Sequence, residues 1–155
     1  MKKITVILTV MLTGSFCQVT SAQSLINDMQ TCQGLLDFMQ QKLIKASEHY
    51  DSAKIKNIQV ALKKYDDYIQ NNIVTPGLIK FNGGDRNKAN IMQKQVDTYK
   101  HTITQGLKAR DSNAQLTSNH AVSLNNCAKK AVPLGQDLED LKIAINDIVD
   151  LAQSN

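Results

Sequence analysis

Apolar side chains recur along most of the chain at steps of four and three residues. That rhythm leaves little room for any fold except packed helices. Leu25, Met29, Cys32, Leu36, Met39, Leu43, Ala46 and Tyr50 alternate in this way. The repeat keeps one face of a helix against a bundle core, and Leu35, Phe38 and Ile44 widen that face. Ile55, Ile58, Leu62, Tyr65, Ile69 and Ile73 form a second stripe. Ala89, Met92, Val96, Tyr99, Ile103 and Leu107 form a third. From Leu124 one phase runs through Cys127, Ala131, Leu134, Leu138, Leu141, Ile145 and Ile148. No stretch alternates apolar and polar residues between turn signals, as a strand would. The expected fold is all-α, a disulfide-bridged helical bundle of four to five helices.

Local chemistry sets the breaks. Ser24 is a candidate N-cap for the first helix, and Asp51 or Ser52 for the second. The second helix is expected to end before Pro76, because the residue before proline is pushed out of the helical region. A long connection over residues 74–85 is then expected, carrying Leu78, Ile79 and Phe81 ahead of Asn82-Gly83-Gly84. Asp85 would cap the third helix, and Asp111-Ser112-Asn113 would break it. At Pro133 phase and chemistry disagree: the apolar repeat continues, but proline removes a backbone donor and Gly135 follows.

The first 22 residues read as a cleaved secretory signal. Lys2 and Lys3 precede an apolar run over Ile4 to Leu12, and Thr20-Ser21-Ala22 supplies small residues for cleavage. The run is too short to span a bilayer, which takes about 20 apolar residues. Cys17 follows Phe16, where a lipoprotein signal has a small residue. The expected mature chain, residues 23–155, is a single helical-bundle domain with no transmembrane segment. Its expected place is the periplasm, with full secretion second. The chain carries +4, and loss of Lys2 and Lys3 lowers this to +2, which gives no case for a nucleic-acid partner.

Cleavage also removes Cys17 and leaves Cys32 and Cys127. An even pair in an oxidising compartment is expected to form a disulfide. This bond arbitrates the conflict at Pro133. In an up-down bundle Cys32 lies near the start of the first helix. Cys127 meets it only if its own helix ends soon afterwards, near Val132. The expected last helix therefore runs from about Gln136 to Ala152. A closed loop of this length contributes on the order of 4 kcal/mol in the chain-entropy model.

Catalytic and metal chemistries find little support. No Cys-x-x-Cys-His haem attachment site is present, and the region after Pro133 has no His to pair with Met29. His120 and Cys127 share a helix face but lie about 10 Å apart along it, too far for one ion. Asp97 and His101 have metal- or acid–base-competent spacing, but a solvated ion pair is the better account of them. No Glu-x-x-His, Gly-x-Ser-x-Gly or His-Glu-x-x-His motif occurs. No catalytic residues, metal ligands or cofactors are expected, and the protein is read as acting by binding rather than turnover.

Charge is uneven. Residues 42–64 are net +4, residues 80–110 net +5 and residues 131–155 net −4. Helices that neutralise one another explain this, and so does a basic face for an anionic partner. The 74–85 connection is the best candidate contact, as a recognition loop or as a plug for the bundle end. Its candidate partner-binding residues are Leu78, Ile79, Lys80, Phe81, Arg86 and Lys88. The expected function is an exported interaction protein, chaperone-like, inhibitory, immunity-conferring or an envelope accessory, with a protein of the cell envelope as partner. A carrier of a small apolar ligand in the bundle core is the alternative, and an unrecognised hydrolase a weaker one.

Overall fold

The computed structural model of the protein describes residues 19–154. The expected signal segment over residues 1–22 lies almost wholly outside them. Helices α1 (Val19–Ala46), α2 (Ser52–Ile69), α3 (Thr75–Phe81), α4 (Arg86–Arg110), α5 (Ser118–Lys130) and α6 (Gln136–Gln153) account for most of these residues. A five-residue π-helical turn, Gln70–Val74, joins α2 to α3 without a break. The chain therefore runs as five helical rods, all-α as its apolar rhythm dictates.

Four of the helices close a ring: α1 packs on α2, α2 on α6, α6 on α5, and α5 on α1. Cross-contacts set the directions. Gln40 of α1 donates to the carbonyl of Gln59 in α2. Lys54 and Lys64 of α2 pair with Asp147 and Asp140 of α6. Each of these neighbours runs antiparallel. The centre is filled by fully buried Met29, Leu36, Met39, Leu43, Ile58, Leu62, Tyr65, Leu124, Leu141 and Ile148.

Cys32 of α1 and Cys127 of α5 are bonded, with Cα atoms 5.6 Å apart. The bond joins the middle of α1 to the last turn of α5, and the break at Pro133 is present between Lys130 and Gln136. Two tyrosines of α2 hold that break. Buried Tyr65 donates its hydroxyl to the carbonyl of Ala131 at 3.0 Å, and Tyr68 donates to Val132 at 2.8 Å. These carbonyls, left over by the end of α5, are satisfied across the bundle. Burial pushes the Tyr65 hydroxyl pKa upward, so it stays a donor.

Four details differ from the expectations. Ser24 lies inside α1, which is helical from the first described residue, Val19, onward. Pro76 does not end its helix. Thr75 N–H bonds the carbonyl of Gln70, five residues back. The wider turn lets Pro76 enter the first turn of α3, where its missing donor costs least. The 74–85 connection is consequently one short helix and a tight turn, in which Gly83 and Gly84 adopt φ of 63° and 90°. Finally, α4 stands outside the ring against the outer face of α1 and against α3. Among its residues only Ala89 and Thr104 are buried.

Gly34 makes the α1–α4 contact possible. A Cβ there would lie 2.8 Å from the Ile103 side chain and 3.0 Å from the carbonyl oxygen of Lys100. Thr104 donates to the Gly34 carbonyl at 3.1 Å. Gly34→Ala should raise helix propensity by about 1 kcal/mol yet force the helices apart at a cost of about 1–3 kcal/mol. Urea unfolding should show net destabilisation. An increase in stability would mean that α4 is only loosely seated.

Candidate functional site

The six residues singled out for partner binding lie together at the corner between α3 and α4, but not all face outward. Leu78 is 2% exposed and belongs to the core, and Ile79 packs partly against it. Lys80, Phe81, Arg86 and Lys88 are exposed, Phe81 to 40%. The segment thus divides: Leu78 closes the bundle, while Phe81 stands out beside three cations.

The corner is held rigidly. Asn82 N–H and Gly84 N–H close the end of α3 on the carbonyls of Leu78 and Ile79. Asp85 Oδ1 then accepts from the backbone of Asn87 at 3.0 Å and of Lys88 at 3.1 Å, capping α4. That carboxylate already occupies the helix N-terminus. Lys88 reaches Asp85 at 3.7 Å, and among the described residues Lys80 and Arg86 have no ion-pair partner.

Leu78→Ala should therefore cost about 2–5 kcal/mol, and Phe81→Ser, at a residue 40% exposed, about 1 kcal/mol. Thermal unfolding of the two variants separates plug from exposed contact. Equal losses would mean that Phe81 is also structural.

A second polar arrangement was invisible in the sequence. Lys42 lies on the buried side of α1 with its side chain 1% exposed. Its ammonium donates to Asp111 Oδ1 at 2.7 Å, to the Asn113 carbonyl at 3.1 Å and to Asn113 Oδ1 at 3.2 Å. It also lies 5.6 Å from the centre of the Phe38 ring. His120 faces the other oxygen of the same carboxylate, with Nε2 at 2.8 Å from Asp111 Oδ2. Its Nδ1 accepts from the backbone N–H of Thr117 at 3.0 Å, which places the ring proton on Nε2.

Burial pushes the His120 pKa down, against the pull of Asp111, so the ring is neutral at pH 7. Burial also works to raise Asp111, but hydrogen bonds from Lys42 and His120 outweigh it and hold that carboxyl below its ordinary value. Both ring nitrogens and all three ammonium protons are engaged. The network can fix the 111–117 connection to α1, and it offers no free base to a substrate.

A third arrangement crosses the π turn. Buried Gln30 donates to Gln33 at 2.9 Å, Gln33 to Gln70 at 3.2 Å, Gln70 to Gln93 at 3.0 Å, and Gln93 to Asp97 at 2.8 Å. Gln70 also donates to Thr75 Oγ1 at 2.9 Å, across the π turn itself. This chain of amides ties α1, the π turn and α4 together. Asp97 accepts from Gln93, and His101 meets Gln105 at 3.3 Å; the two are not paired. Among the described residues, no three His, Cys, Asp or Glu side chains gather as a metal site would require. No helix there is long and apolar enough to cross a membrane.

The charge imbalance resolves in two ways. Lys54 and Lys64 neutralise Asp147, Asp150, Asp137 and Asp140 across the α2–α6 seam. In α4, Lys88 and Lys100 pair with Asp85 and Asp37, while Arg86, Lys94, Lys108 and Arg110 make no ion pair among the described residues. No protein-family model, curated protein or solved structure matches the chain.

Proposed function

We propose that the protein is exported to the periplasm and acts there by binding an acidic protein of the cell envelope. The contact is made by the α3–α4 corner. The observation that carries this reading is the exposed ring of Phe81 at the end of α3, ahead of a tight turn, with Lys80, Arg86 and Lys88 close by in the chain. An exposed aromatic anchor beside an arginine is the composition of a contact core, and the two lysines suit its polar rim. The turn is already ordered, so little conformational entropy is lost on binding. The excess positive charge of α4 would steer an acidic partner toward this edge.

Native mass spectrometry of the protein from the periplasm of its own host, without reductant, tests the reading. The expected mass begins at Gln23 and lacks the two hydrogens of the disulfide. The expected complex carries one discrete protein adduct, which Phe81→Ser removes while the melting temperature stays within a few degrees of wild type. An adduct that survives both Phe81→Ser and Arg86→Glu would place the contact elsewhere.

A further inference from the structure

Helices α4 and α5 flank α1 on either side but do not pack on one another. The gap between them is an open groove of about 370 Å³. It has the disulfide and Leu35 as its floor and Ile103 and Leu107 as one wall. Each helix contributes a stripe seven residues long, as from Asp28 to Leu35 in α1, so the groove is about 10 Å long.

Its two ends differ in charge. At one end Lys130 is tied to Asp28 at 3.0 Å. At the other stands Arg110, whose Nε donates to the Gly106 carbonyl at 3.1 Å. No carboxylate meets Arg110 among the described residues, so its terminal nitrogens are free for an anion.

We propose that this groove binds a single-chain alkyl carboxylate, a fatty acid, with its tail along Leu35, Ile103 and Leu107 and its head on Arg110. Size favours an alkyl chain, which the groove can enclose along its length, over a partner helix, most of which would lie outside it. A helix about 10–12 Å across would displace roughly 800–1,100 Å³ over ~10 Å, more than twice what the groove offers. The volume falls within the small-molecule range of about 300–1,000 Å³. Charge selects the head. One unpaired guanidinium matches a monoanion and grips both carboxylate oxygens, whereas a phosphate monoester brings close to two charges. The site uses none of the α3–α4 corner residues and does not depend on the protein-binding reading.

Titration of the 15N-labelled, oxidised protein with decanoate below its micelle concentration tests the proposal. Saturable amide shifts are expected at Leu35, Ile103, Leu107 and Asn126. Decanol, with the same tail and no charge, should bind about tenfold more weakly, and Arg110→Gln should weaken decanoate by a similar factor. Ser123→Trp, an exposed change on the α5 wall, should fill the groove and abolish the shifts while the melting temperature is kept. Non-saturating shifts spread over the molecule, binding indifferent to Ser123→Trp and Arg110→Gln, or decyl phosphate preferred over decanoate would overturn the assignment.

Discussion

Replacing both Cys32 and Cys127 by alanine is expected to lower the melting temperature by about 12–25 °C. The bond closes a loop of sequence separation 95. In the chain-entropy model a loop near that length restricts the unfolded chain by about 4–5 kcal/mol. For a chain of this size each kcal/mol moves the midpoint by about 3–5 °C. The alanine pair retains a small apolar group at two positions that are 4% and 7% exposed, so the loss reports the crosslink rather than a stranded polar atom. Calorimetry of the oxidised, reduced and alanine forms measures it. A shift of only a few degrees would mean that α1 and α5 hold the ring closed by packing alone.

The second large effect belongs to Lys42 and Asp111. Asp111→Ala should cost about 3 kcal/mol or more, because it leaves the charge of an ammonium that is only 1% exposed with the neutral oxygens of Asn113 alone. Lys42→Met should cost less, about 1–2 kcal/mol. The carboxylate it strands is 31% exposed, still reaches water, and keeps His120.

The same network makes stability depend on pH. The folded pKa of His120 lies below its ordinary 6.5, so the unfolded chain binds a proton first. Stability therefore falls as pH drops from about 6.5 toward the lowered folded value. Asp111, held below 3.8 in the fold, adds a second loss as pH falls through 3.8 and below. Urea midpoints measured from pH 8 to pH 3 should show both losses. His120→Ala should remove the upper one. Burial raises the Asp66 carboxyl pKa, which works in the opposite direction as pH falls toward 3.8. The variant comparison therefore decides: an upper loss of the same size in His120→Ala as in the wild type would contradict the assigned protonation states.

What could be read from the sequence, and what could not, follows from the range of each interaction. The all-α fold lies in the apolar rhythm itself. The caps at Asp51 and Asp85 depend on neighbours two or three residues away. The break at Pro133 was legible only because the cysteine pair supplied a long-range distance, which overruled a continuous apolar phase. Pro76 had no such arbiter. Its helix continues because Gln70 finds partners on α1 and α4, and a local rule cannot see them. The place of α4 was hidden for the same reason, although its dense positive charge and thin apolar stripe are those of a helix covered on one side only. The corner residues were found, but their division into a buried Leu78 and an exposed Phe81 needed the register of α3. Lys42 reads as a solvated lysine. Its partners lie 69 and 71 residues away, and nothing in the sequence joins them.

The claim that this protein works by binding through the α3–α4 corner is tested most directly by site-specific photocrosslinking in its own host. A photoreactive amino acid would replace Phe81 in one strain and Val122 on α5, which is more exposed, in another. The expected result is one discrete protein adduct from position 81, absent from position 122 and lost when Lys80, Arg86 and Lys88 are changed to glutamate. No adduct from position 81, or the same set from both positions, would contradict the account.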